Sequence, residues 1–268
     1  SMVAMPHDTD ALTERLEAAR RLAREMGDVT LEYFGREQLG VDHKADGSIV
    51  TDADRAAEHH ARTVLAELFP DDGLLGEEHG ELVTDSPWRW VIDPIDGTVS
   101  FARGVPAYGV LIGIEYEHDP VGGVIHLPAW SETVWGGRDL GAWQQRCEED
   151  PRPARVSDED TLADAMVCTT TWDYFRDGDS IELHDRLVRA CTTRGWSDCS
   201  AHLLLATGRI DAVVDPLLSR WDIAASIAVV EAAGGRVTDL SGRRDPGGSA
   251  AILSNGPLHE QLVALTAS

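Results

Sequence analysis

The sequence predicts a layered α/β (α+β) sandwich, on three observations. Apolar residues recur at three- and four-residue steps early in the chain. A close succession of strand-like apolar runs follows. Beyond that, strands and helices alternate without a strict βαβ rhythm.

The elements follow in order. In residues 9–26, Leu12, Leu16, Ala19, Leu22, Ala23 and Met26 share one helical face. A second helix is expected over 52–69, with Ala57, Ala61, Val64, Leu65 and Leu68 inward and Pro70 as its stop. The polar stretch 42–48 between them, with Asp46-Gly47, reads as a turn or mobile loop. Residues 88–92 and 108–116 read as strands. After a turn at His118-Asp119-Pro120, residues 121–127 and 132–136 complete an antiparallel meander. The charged run 148–150 with Pro151 and Pro153 marks a seam between halves 8–150 and 151–268 of one domain spanning 8–268. Beyond it come a strand at 166–170, helices at 180–190 and 200–207, and a strand at 212–214. A helix at 221–233, a strand ending near Leu253 and a helix after Pro257 close the chain.

Composition narrows the function. The chain has 268 residues, large enough for a core that needs no disulfide staple. With 47 Asp+Glu against 23 Lys+Arg, the formal charge is −24, which excludes most readings with nucleic acid or an anionic membrane as partner. No apolar run is long enough for a transmembrane helix, and no signal peptide is apparent, so a soluble cytoplasmic protein is expected. Ser1 ahead of Met2 reads as a tag-cleavage scar. Cys147, Cys168, Cys191 and Cys199 lack CxxC spacing and read as buried free thiols of a reducing compartment.

The chemistry concentrates at Asp93-Pro94-Ile95-Asp96-Gly97-Thr98, directly after a predicted strand. Ligands in α/β folds gather at strand ends. With Pro94 stiffening the turn, Asp93, the Ile95 carbonyl and Asp96 can present oxygen to one point. Gly97 and Thr98 offer backbone N–H groups suited to phosphate if a helical turn begins there. Three further carboxylates belong in its company: Asp54 in Val50-Thr51-Asp52-Ala53-Asp54, Glu77 in Gly76-Glu77-Glu78, and Asp222 after Trp221. Taken singly, each is as well explained as a helix cap or a surface charge.

Together these segments resemble the inositol monophosphatase superfamily of magnesium-dependent, lithium-sensitive phosphatases, over residues 10–265. That resemblance implies an αβαβα sandwich of the sugar-phosphatase type, a homodimer and hydrolysis of a small phosphorylated metabolite. It also implies metal ligation by Glu77, Asp93, the Ile95 carbonyl, Asp96 and Asp222, an all-oxygen set suited to two or three Mg2+ ions. Local metal charge would then admit an anionic substrate to an acidic protein. Asp54, Thr98 and Glu77 would serve water activation, with Gly97 and Thr98 holding the phosphate. Lys44, the chain's only lysine, stands one residue nearer Asp54 than the loop lysine of the inositol enzymes.

The specificity region departs from the inositol branch. Arg194-Gly195-Trp196-Ser197-Asp198-Cys199, Asp215-Pro216 and Trp221-Asp222 are similar to the histidinol-phosphate phosphatase branch. Histidinol phosphate carries an ammonium and an imidazole, with which Asp198 and Asp215 could pair; Arg194 and Asp222 complete the expected substrate contacts. Inositol-1-phosphate or a related sugar or cyclitol phosphate is the alternative within the class. A catalytically idle regulatory relative is the alternative outside it, disfavoured because every metal and water-activating position is filled.

Overall fold

A computed structural model describes residues 8–36, 39–44, 47–245 and 248–267. Asp46 of the expected 42–48 turn lies outside the described residues.

The chain opens with helix α1 (Thr9–Tyr33), capped by Asp8, whose carboxylate accepts from the Asp10 and Ala11 N–H groups. It runs a further two turns past the predicted end. A Cβ on Gly27 would stand 2.7 Å from the His126 ring, and the Thr30 hydroxyl reaches the Gly27 carbonyl at 2.7 Å. Glycine and threonine, weak helix formers, are kept helical by what they pack against. The ribbon β1 (Val41–His43) and β2 (Ile49–Thr51) leads into α2 (Asp52–Leu68). The strands β3 (Gly73–Gly76), β4 (Gly80–Leu82) and β5 (Trp88–Asp96) come next, then a short helix α3 (Thr98–Ala102).

The expected meander is present as β6 (Gly109–Tyr116), β7 (Asp119–Leu127) and β8 (Glu132–Gly137), and β9 (Gly141–Arg146), which was not expected, extends it. Its first turn falls at Glu117 and His118, both at positive φ, so Asp119 and Pro120 already belong to β7. The strand β10 (Arg152–Pro153) pairs back on β9, so the large sheet continues through the prolines of the expected seam.

The second half contributes β11 (Met166–Thr169), α4 (Trp172–Asp177), α5 (Ile181–Ala190) and β12 (Thr192–Arg194). It continues through α6 (Asp198–Ala206), β13 (Ala212–Asp215) and α7 (Arg220–Ala232). The last elements are β14 (Arg236–Thr238), β15 (Ala251–Ser254) and α8 (His259–Thr266).

Eight strands form one sheet in the order β10-β9-β8-β7-β6-β5-β3-β4, and five form another in the order β12-β11-β13-β15-β14. One core cluster joins α1 and α2 to the large sheet. A second, with Leu203, Leu205, Ile223, Ile227 and Val229, fills the space between the two sheets from α6 and α7. A third packs α5 and α8 on the far side of the small sheet. The layers therefore run αβαβα. The middle layer explains why α6 and α7 are apolar almost all round: each buries two faces. Gly113 and Gly123 let α7 lie against the large sheet, since a Cβ at either would stand within 3.0 Å of Ala224 or Ala225.

Of the four thiols, Cys168 and Cys199 are buried and Cys191 is half-buried, as free cysteines. Cys147 departs from the expected burial. It sits exposed at φ 49°, in the turn that follows β9.

Candidate active site

The large sheet is regular along β5 until its end. The pairing of β5 with β6 slips between Asp93 and Asp96, a bulge that turns successive side chains out of strict alternation. Pro94, which has no N–H to give a ladder, sits inside it. The Asp93 Oδ1 accepts from the Ile95 N–H at 3.0 Å, and the Thr98 hydroxyl donates to the Ile95 carbonyl at 3.0 Å. Gly97 follows at φ 89°, where a Cβ would lie 2.9 Å from the Ala107 carbonyl oxygen, so both backbone and space call for glycine.

Two helices bring their first turns to this bulge, and both use the same local device. In α2 the Thr51 hydroxyl accepts from the Ala53 N–H and donates to Asp54, while the Thr51 N–H donates to Asp54 Oδ2 at 2.8 Å. In α7 the Ser219 N–H donates to Asp222 Oδ2 at 2.7 Å. Capping and chemistry are not competing readings here, because one carboxylate oxygen closes the helix and leaves the other for the site. Asp54 Oδ1 is buried and accepts no hydrogen bond.

Asp93, Asp96 and Asp222 each offer a carboxylate oxygen within 4.8 Å of the others. Burial pushes the Asp93 carboxyl well above the usual range, with Glu77, Asp96 and Asp222 adding repulsion. Burial does the same to Asp96, with Asp198 and Asp222 adding. Asp222 is raised to about 7 by burial, against its bond to Ser219 and with Glu77 and Asp198 adding. Asp54 is likewise raised to about 7 by burial, which outweighs the bonds from Thr51. Like charges 4 Å apart repel by roughly 4 kcal/mol at an effective dielectric near 20, so this group wants protons or a cation. Its donors are all oxygen, the chemistry of a hard divalent ion, and the residues fit one.

Glu77 stands at the end of β3, its N–H donating to the Ile92 carbonyl, and its carboxyl reaches Asp93. Lys44 Nζ bridges Glu77 at 2.6 Å and Glu78 at 2.7 Å. Burial alone would lower the Lys44 pKa, but the two carboxylates hold it above its usual value.

Sequence reasoning missed Glu58, which is fully buried beneath that turn. Its carboxylate accepts from the Glu78 N–H at 2.7 Å, the His79 N–H at 3.1 Å and Arg62 Nε at 2.8 Å. Glu58→Gln is expected to cost about 1.5 kcal/mol, or roughly 3–6 °C in Tm, and to weaken the binding of a divalent ion such as magnesium at the neighbouring carboxylates. A Tm scan beside a magnesium titration checks both, and an unshifted titration would leave Glu58 a purely structural residue.

The specificity residues are less uniform. Asp198 opens α6 at φ 58°, with the Ser197 hydroxyl donating to its Oδ2 at 3.0 Å, and the Cys199 N–H donates to Asp96. Asp198 Oδ2 is 3.4 Å from where a Gly97 Cβ would stand, so it adjoins the bulge. Asp215 is buried at the end of β13. Arg194 is exposed on β12, its Nη1 donating to the Thr193 carbonyl at 2.8 Å, and it forms no ion pair among the described residues. Tyr174, unmarked by any motif, comes close instead. Burial raises its phenol, with the charges of Asp198, Asp222, Asp96 and Asp215 adding.

Comparison with known proteins places the chain in a family. The family model described as the inositol monophosphatase family matches residues 11–268. The chain belongs to that family. A histidinol-phosphatase of Chlorobaculum parvum is 41% identical over 94% of this chain and 96% of its own length. The Mycobacterium tuberculosis histidinol-phosphatase is 35% identical over 92% and 96%. Among solved structures, the extragenic suppressor protein suhB of Bartonella henselae superposes with a TM-score of 0.86, at 28% identity over 94% of this chain and 98% of that one. As a family member the chain is a phosphoric monoester hydrolase. No helix among its described residues is long and apolar enough to cross a membrane.

Proposed function

We propose that this hydrolase acts on L-histidinol phosphate, releasing L-histidinol and phosphate, with magnesium held by Glu77, Asp93, the Ile95 carbonyl, Asp96 and Asp222. The observation that carries the substrate reading is the position of Asp198. It is a carboxylate beside the bulge, with no lysine or arginine pairing it among the described residues, where an ammonium-bearing alcohol would be welcome. The named activity of the two histidinol-phosphatase relatives supports the same substrate.

Bound magnesium supplies positive charge against the phosphoryl oxygens and acidifies water. The protein's own groups do the rest. Asp54 keeps Oδ2 on Thr51 and offers Oδ1 as the acceptor that orients the attacking water. The Thr98 hydroxyl spends its proton on the Ile95 carbonyl, which leaves its oxygen free to accept from that same water. The Gly97 and Thr98 N–H groups hold the phosphate, and no phosphoenzyme forms. Asp198 and Asp215 face the cationic alcohol, with Arg194 and Asp222 as the further substrate contacts. Two or three magnesium ions per site, a homodimer and a cytoplasmic setting complete the reading, on the strength of the resemblance and the oxygen donor set.

The deciding experiment measures phosphate release from histidinol phosphate and inositol-1-phosphate side by side with magnesium. A preference of about a hundredfold in kcat/KM for histidinol phosphate, roughly 2.7 kcal/mol, is expected. Parity, or a preference for the inositol ester, would overturn the substrate and leave the phosphatase.

A further inference from the structure

Behind Asp198 lies a buried chain of polar side chains that the reaction as described does not use. The Ser226 hydroxyl is 2.8 Å from His202 Nδ1, and His202 Nε2 is 3.0 Å from Asp215 Oδ2. All three side chains are at most 1% exposed. They come from three elements, α7, α6 and β13. A carboxylate oxygen accepts, so Nε2 carries the hydrogen and Nδ1 receives the serine O–H; the network sets the tautomer. Ser226 lies one turn beyond Asp222 on α7, and His202 one turn beyond Asp198 on α6. The chain therefore ties Asp215 to the two helices that carry site carboxylates.

The other Asp215 oxygen, Oδ1, is buried and without a hydrogen-bond partner. Asp198 opens α6 one turn before His202, which contacts Asp215; burial raises the Asp198 carboxyl, with the charge of Asp215 adding. Neither forms an ion pair with lysine or arginine among the described residues, and His202 is the basic group that Asp215 contacts. Two carboxylates that share the surroundings of one histidine, one of them with a bare oxygen, lack a donor, and an imidazole spent on Oδ2 cannot supply it.

We propose that His202, braced by Ser226, is a positioning residue that holds Asp215 beside Asp198, so that the two carboxylates together seat the ammonium of the substrate's alcohol. This rests on the substrate reading above and deepens it, since it assigns the reading of charge to a pair and its geometry to the histidine. A histidine used only to fill the core would not distinguish one phosphate ester from another. A histidine that places half of a cation seat must.

The test compares 2-aminoethyl phosphate with ethyl phosphate, beside histidinol phosphate, in the wild type and in His202→Leu, His202→Gln and Ser226→Ala. The aminoethyl ester keeps the ammonium of histidinol phosphate two carbons from the ester oxygen, and the ethyl ester lacks it. His202→Leu is expected to lower the aminoethyl-to-ethyl ratio of kcat/KM at least tenfold, mostly through KM. His202→Gln, whose amide can still donate to Asp215, should recover most of the ratio, and Ser226→Ala should fall between. If His202→Leu does not fold, the glutamine and serine variants carry the comparison.

An unchanged ratio in the variants, with the wild type still preferring histidinol phosphate, overturns the role of His202 and spares the substrate. Equal losses on both esters with a lowered Tm make the trio a core network and overturn it too. So does a wild type indifferent to the ammonium. A wild type that prefers the aminoethyl ester but not histidinol phosphate, with the preference lost in the variants, upholds the seat and removes the named substrate.

Discussion

Asp96→Asn is expected to give a folded protein whose kcat/KM for phosphate esters is at least a thousandfold down, about 4 kcal/mol of transition-state stabilisation. Asp96 is one of three carboxylates within 4.8 Å, so its charge is part of what a divalent ion would bind. Its structural duty is smaller. The Cys199 N–H donates to Oδ2, and an amide oxygen can accept that bond in its place. Removing one of several like charges should raise the Tm of the metal-free protein by roughly 2–4 °C for each kcal/mol of repulsion relieved. The expected signature is thus opposite in sign for activity and stability. Phosphate release together with calorimetry in a chelator reads both. Near-wild-type turnover would remove Asp96 from the metal set, and a fall in Tm would mean that its hydrogen bonds outweigh its repulsion.

Much of this site was legible because its parts are local. The segment from Asp93 to Thr98 works as one bulge and one turn, so its spacing in sequence is nearly its spacing in space. Asp54 and Asp222 were legible as caps for the same reason, each three residues beyond its Thr or Ser. What sequence could not offer was the simultaneous use of both oxygens, which needs the distance from a helix end to another strand. Glu58, His202 and Tyr174 were missed because their partners lie on other elements; the segments of Glu58 and His202 read as ordinary helix, and α4, which carries Tyr174, went unread. The αβαβα order followed from the resemblance, whereas periodicity alone reached only a layered sandwich. The extra turns of α1 were illegible because His126 and Tyr108, far along the chain, hold Gly27 and Thr30 in place. The short strands β3, β12 and β14 went unread because three or four residues beside glycines and threonines carry no period of their own.

Magnesium should stabilise the protein more at pH 8 than at pH 6, and its removal should reverse the slope of stability with pH. Asp54 and Asp222 are raised from 3.8 to about 7 in the folded protein. Each therefore keeps its proton in the folded chain over a range where the unfolded chain has lost it. Between about pH 4 and 7 the folded form binds more protons, so metal-free stability falls as pH rises through that window. Burial raises Asp93 and Asp96 in the same direction, so they add to the fall. Magnesium needs these oxygens deprotonated, so its contribution grows as they lose their protons. At a free concentration a thousand times Kd it would reach about 4 kcal/mol, roughly 8–16 °C in Tm. General repulsion in a chain of charge −24 has the same sign, and sodium chloride at matched ionic strength separates the two, because screening needs no particular site. Calorimetry at pH 6, 7 and 8 in magnesium, in matched sodium chloride and in chelator makes the comparison. A magnesium increment that does not grow with pH, or that sodium reproduces, would mean that these carboxylates do not bind the ion together.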